Sequence, residues 1–201
     1  MKHELSPELL RRLQEIISYG FENAARGFAG MVGEKLSVVQ PVVRAVPLQE
    51  IPILLGGAEN DAVGIYLRIE GDMIGQIMLI IPIEKAFSIV DMLMEQAEGT
   101  TQKLGQMERS ALAEVGNLTG SFFLNAVAEI TRYEMRPSPP AVMVDMVGAM
   151  LDVIIATMGS IGDEVLMFQA TFVFAERETR TDFWIVPDPN TLDKLIAAGE
   201  K

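Results

Sequence analysis

Ser110, Glu114 and Asn117 stand at i, i+4 and i+7, a spacing that turns all three toward one side of a helix. Ala111, Leu112, Val115, Leu118, Phe122 and Val127 supply the opposite, apolar side, so residues 106–128 read as an amphipathic helix. Its exposed side carries a carboxylate and a carboxamide next to each other. A carboxylate pairs with cations, while a carboxamide donates and accepts at once and can fix a water molecule. Little else in the chain offers chemistry. No nucleophilic Ser–His pair, cysteine site or phosphate-cradling glycine loop is present. His3 stands alone and Asp145 with Asp152 has no third ligand, so no intrinsic metal is expected.

A chain of 201 residues at 49% apolar and 22% charged suits a globular protein with ample core. A net charge of −12 argues against nucleic acid and anionic membrane surfaces, which call for clustered Lys and Arg. A partner with a basic patch fits better. Cysteine is absent, the start of the chain lacks an apolar signal region, and the apolar run 141–158 carries Asp145 and Asp152. That run reads as buried protein, and the expectation is a cytoplasmic chain without membrane insertion. The thirteen methionines read as core filler, and Trp184 as a strand core residue.

The elements that must position the pair come in two similar series. Ser6-Pro7-Glu8 opens a helix through Leu9, Leu13, Ile16 and Ile17 to about residue 32. Gly27, Gly30 and Gly33 near its end suggest close packing or fraying. A valine-rich segment at 36–47, broken by Pro41, reads as an edge strand. A loop at 54–61 follows, then strands 62–70 and 73–81 turn at Gly71-Asp72, and a helix spans 84–95. The second series runs from the 106–132 helix to an extended segment after Pro140. A hairpin of 165–174 and 179–186 comes next, and Asp188-Pro189 opens a last helix to 198. LQEIISYG at 13–20 sits over LAEVGNLT at 112–119. Gly116 and Gly120, with Ala24 and Ala25, read as helix-packing residues. The expected fold is α+β: one domain over 1–201 made of two repeats, about 6–98 and 106–199, with long helices on a six-stranded, antiparallel-rich sheet.

Ser110, Glu114, Asn117 and the distant Pro140 also reproduce the spaced signature of the CheC/CheX/FliY phosphatases of bacterial chemotaxis, which the chain resembles along nearly its whole length. The duplicated order of helix, strand, hairpin and helix is similar to CheC in particular. The resemblance implies a pseudo-twofold fold and a phosphatase acting on the aspartyl phosphate of a CheY-type response regulator. It gives Asn117 the task of orienting the attacking water and Glu114 a salt bridge to the receiver's lysine. Ser110 and Pro140 are supporting positions without obvious chemistry. No cofactor is implied beyond Mg²⁺ carried by the response regulator.

The first series departs from the signature. Glu15 and Pro41 keep their places, but Arg11 and Ser18 replace the expected Asp/Ser and Asn. A hydroxyl is shorter than a carboxamide, so one working site is expected rather than two. The resemblance also implies a rival reading, a non-catalytic adaptor for CheD, a receiver or the flagellar switch. Paired halves already complete a pseudo-dimer, which favours a monomer.

Overall fold

The computed structural model describes residues 7–33, 35–158, 164–174 and 180–185. Two 26-residue helices dominate it, α1 (Pro7–Val32) and α4 (Gln106–Thr131). Each leads into strands: α1 into β1 (Leu36–Pro47), and α4 into β4 (Met135–Pro137) and β5 (Ala141–Met146). A short helix follows in each case, α2 (Ile51–Leu54) or α5 (Val147–Met158), and then a hairpin. The first hairpin is β2 (Asp61–Gly71) with β3 (Gly75–Pro82), after which α3 (Ile83–Leu93) closes the first half. The second is β6 (Glu164–Phe174) with β7 (Arg180–Ile185). The expected cap at Ser6, the turn at 175–178 and the last helix at 189–198 lie outside the described residues.

All described strand pairings are antiparallel. The order is β1-β6-β7-β3-β2-β4, with β5 also on β2. Each half therefore lends its first strand to the other half's hairpin. β1 lies along β6, β4 and β5 lie along β2, and the hairpins meet at Leu79↔Ile185 and Ile80↔Trp184. The order reads the same from either end. Seven strands form instead of the expected six because Ser138-Pro139-Pro140 divides the last one into β4 and β5. Prolines lack the N–H a ladder requires.

Alternation along the strands separates two cores. Val63, Ile65, Leu67 and Ile69 of β2 face α1, α3 and α4 with Phe168, Ala170 and Phe172 of β6. Leu13, Ile16 and Ile17 of α1, and Ala86, Ile89 and Val90 of α3, join that core. Phe21 meets Phe123 at a tilt and Phe172 edge-on, with ring centroids 5.7 and 6.2 Å apart, so α1 is tied to α4 and to the sheet. Residues of the other parity, Ala62, Met78, Ile80 and Met167, pack beneath Ile51, Leu55, Val147, Met150 and Leu151. The apolar run 141–158 is thus a strand and a helix rather than one buried stretch. Asp145, Asp152, Met146 and Val153 within it are exposed. Among the described residues no helix is long and apolar enough to cross a membrane.

Close approach is set by glycine. A Cβ on Gly20 or Gly27 would fall within 2.7 or 2.1 Å of the Phe123 or Phe122 ring, which lets α1 and α4 lie side by side. Gly30 meets nothing, and Gly33, at φ 71°, ends α1. Gly116 and Gly120 seat α4 on the sheet instead of on a helix. Their Cβ atoms would come 2.3 Å from Ile65 Cγ2 and 3.2 Å from Leu67 Cδ2.

Candidate functional site

α4 buries Leu112, Val115, Gly116, Thr119, Gly120, Phe123, Leu124, Ala126 and Val127. Phe123, at 3% exposure, rather than Phe122, at 38%, is the aromatic ring of that buried face. The buried stripe leaves Ser110 and Glu114 exposed and Asn117 half-buried along the opposite side. The helix is well terminated: Arg132, at φ 63°, donates its N–H to the Ala128 carbonyl.

Ser110, Ala113, Glu114 and Asn117 form one side of an open groove of about 460 Å³, and Pro137, Pro139 and Pro140 form the other. The structure therefore brings Ser110, Glu114, Asn117 and Pro140 together. Pro137 and Pro139 share the wall without having been singled out from sequence. Their signal was the run Arg136-Pro-Ser-Pro-Pro, in which three residues have no N–H to give to β2.

Ser138 holds that wall. It is buried; its N–H donates to the Arg68 carbonyl at 2.8 Å, and its Oγ accepts the Arg68 N–H at 3.0 Å. Its hydroxyl donates to the Pro139 carbonyl at 3.1 Å. One residue thus supplies both halves of a ladder rung to β2, in the gap between β4 and β5. By contrast, the side chains of Glu114 and Asn117 make no hydrogen bond or ion pair with any described residue, so both are available to a visitor.

Asp91 organises the approach to α4. Its carboxylate is 1% exposed and accepts the N–H groups of Gly99, Thr100 and Thr101 at 2.7, 3.1 and 2.8 Å. Burial alone pushes its pKa up, but the Thr101 donors and the Gly99 and Thr100 amides outweigh burial and hold it below the ordinary 3.8. The signal for Asp91 in the sequence is an acid set directly among the apolar residues Ile89, Val90, Met92 and Leu93 of α3.

The first-half counterparts are arranged differently. Arg11 forms an ion pair with Glu15, both exposed. Ser18 donates to the Gln14 carbonyl at 2.6 Å, and Pro41 lies where the β1–β6 register shifts between Val39 and Val42. Among the described residues no three His, Cys, Asp or Glu side chains converge as a metal site.

A model of the CheC-like family matches residues 107–144, the span of the groove from Met107 of α4 to Val144 of β5. The chain resembles the CheC-like family. It is 27% identical over 199 residues to the CheY-P phosphatase CheC of Bacillus subtilis, covering 96% of this chain and 95% of that one. Its fold is similar to that of FliY from Thermotoga maritima, with TM-score 0.82, 17% identity and 98% of each chain covered. It is also similar to a chain in the CheX–CheY–BeF3–Mg²⁺ complex of Borrelia burgdorferi. That match has TM-score 0.55 and 15% identity, over 87% of this chain and 99% of that one. The α+β architecture is thus the CheC-like fold.

Proposed function

We propose that this chain is a chemotaxis phosphatase that hydrolyses the aspartyl phosphate of a CheY-type response regulator at one site. Asn117 orients the attacking water, and Glu114 pairs with a cationic side chain of the receiver. The carrying observation is a carboxamide and a carboxylate side by side on a packed helix, unengaged, at an open groove. Similarity to a CheY-P phosphatase over 96% of the chain supports the reading. So does a fold relative solved in complex with CheY.

The phosphoryl group and Mg²⁺ arrive with the receiver, so this chain contributes no metal. Asn117 donates to one lone pair of the water and accepts one of its hydrogens, which aims the water's remaining lone pair in line with phosphorus. The new bond forms as the phosphorus–oxygen bond to the receiver's aspartate breaks. The bonding pair leaves on the carboxylate, and the water's protons stay with inorganic phosphate. A hundredfold acceleration requires about 2.7 kcal/mol off the barrier. Removing one well-placed donor commonly costs about 2.7–4 kcal/mol. A single amide therefore suffices. Glu114 serves docking, its pairing strengthened as the interface loses water.

Residues 6–98 and 106–199 are the two repeats of this single domain, which acts as a cytoplasmic monomer. CheD is a further candidate partner. The adaptor reading gains from the first half, where the Arg11–Glu15 ion pair occupies the matching carboxylate.

Phosphate release from a phosphorylated CheY-type receiver tests the assignment. Asn117→Ala should abolish stimulated release with the fold intact, and Glu114→Gln should weaken docking more than the chemical step. Equal release by Asn117→Ala and the parent would remove Asn117 from the chemistry. Binding without acceleration by the parent would favour the adaptor.

A further inference from the structure

From the long helix of each half to the proline that follows it, matching positions lie 99 residues apart: Glu15 with Glu114, Ser18 with Asn117, Pro41 with Pro140 and Gln14 with Ala113. The last pair decides whether a groove exists. On α4, Ala113 ends at its methyl group and leaves the space before the proline wall open. On α1, the longer Gln14 crosses to β1. Its Nε2 donates to the Pro41 carbonyl and to Ser18 Oγ at 3.2 Å, and its Oε1 accepts the Val43 N–H at 3.0 Å.

β1 is an edge strand, and Pro41 sits at its irregularity, so Gln14 satisfies backbone groups that no neighbouring strand reaches. Ser18 is held as well, donating to its own helix and accepting from Gln14. Arg11 occupies Glu15 from the preceding turn. Three substitutions relative to the second half therefore act together on one place.

We infer that Gln14 plugs the amino-terminal groove, and that this filling, not the Ser18 hydroxyl alone, keeps the first half from serving as a second receiver site. The inference rests on the phosphatase reading for its activity arm. A receiver element that enters beside Asn117 finds the equivalent space beside Ser18 taken by a side chain bonded at both ends. Restoring a carboxamide at position 18 without removing the plug leaves it no route to a docked phosphoryl group.

The test uses the full chain in an Asn117→Ala background, where the second site is silent. The probe is a CheY-type receiver charged from a small-molecule phosphodonor. Ser18→Asn alone should stay at the background rate. Combining Arg11→Ser, Gln14→Ala and Ser18→Asn should raise phosphate release at least tenfold above background. Recovery by Ser18→Asn alone, or a folded combination that stays at background, overturns the inference.

Amide hydrogen exchange gives a readout independent of activity. Gln14→Ala should speed exchange at Val43 at least tenfold while Phe21 and Phe28 amides in the same helix stay protected. Unchanged Val43 exchange also overturns the plug. Should the parent with Asn117 intact fail to accelerate release, the phosphatase reading falls by itself, and the exchange measurement still decides the plug.

Discussion

Ser138→Ala isolates the contribution of the groove wall, because it deletes one oxygen and leaves every proline in place. Arg68 then keeps its carbonyl partner, the Ser138 N–H at 2.8 Å, but its own N–H loses the acceptor now 3.0 Å away. An ordinary hydrogen bond contributes about 0.5–1.5 kcal/mol net, and a donor left dry costs about 1–3 kcal/mol. The alanine is buried against β2, and its methyl group offers the Arg68 N–H no acceptor. A loss of about 1–2 kcal/mol follows, which for a chain of this length lowers Tm by roughly 2–8 °C. Chemical denaturation gives the free energy, and amide exchange at Arg68 locates it. On the proposed function the wall meets the receiver rather than the reacting atoms, so KM should rise while kcat changes little. An unchanged midpoint together with unchanged Arg68 exchange would refute the claim that Ser138 holds the wall.

Three further substitutions probe the supports of α4. Asp91→Asn replaces an acceptor-only group that binds three N–H donors, at a cost of about 1.5–3 kcal/mol for charge-assisted bonds. Because the folded pKa lies below the ordinary 3.8, the parent's benefit is full above that value and fades as pH falls through the lower folded one. Stability curves from pH 6 to pH 2.5 should show this slope in the parent and not in Asp91→Asn. Gly116→Ala places a methyl 2.3 Å from Ile65 Cγ2, so α4 must lift beside Asn117. The expected destabilisation is about 1–3 kcal/mol, with a drop in phosphate release that exceeds that of a surface change such as Glu129→Gln. Thr119 Oγ1 is buried without a hydrogen-bond partner among the described residues, so isosteric Thr119→Val should hold or raise the unfolding midpoint.

The long elements were legible because their periodicity is unbroken. α4 begins and ends within a residue of its sequence reading, and the turn at Gly71-Asp72 falls between β2 and β3 as expected. The short helices α2 and α5 were not legible. Pro52 sits inside the four residues of α2, and α5 continues an apolar run in which the change from a two-residue to a helical period leaves no polar mark. Phe122 and Phe123 are adjacent and equally apolar, and each packs over a glycine of α1, so residue type does not say which ring is buried. Within the site, the helical trio and Pro140 were readable from spacing. Ser138 was not, since its importance arises from the missing N–H groups of its neighbours. Nor was Gln14, whose reach across to β1 depends on where Pro41 and Val43 lie in space.

On the proposed function the site acts by position, and the fold supplies position through the seat of α4. Gly116 precedes Asn117 and rests on Ile65, while Gly120, one turn on, rests on Leu67. The depth of the carboxamide below the groove mouth is therefore set by backbone meeting β2. Ser138 fixes the opposite wall against Arg68 of that same strand. Helix, carboxamide and proline wall are thus all referenced to β2, which is braced by β3 on one side and by β4 and β5 on the other. β1, which bounds the first groove, stands on β6 as β4 and β5 stand on β2, so the two grooves differ in their side chains and not in the place of their walls. Beside β1 the gap between helix and strand is closed by a side chain in place of an incoming partner. The same architecture yields an open groove where Ala113 faces a proline-rich wall, and a sealed one where Gln14 stitches helix to strand.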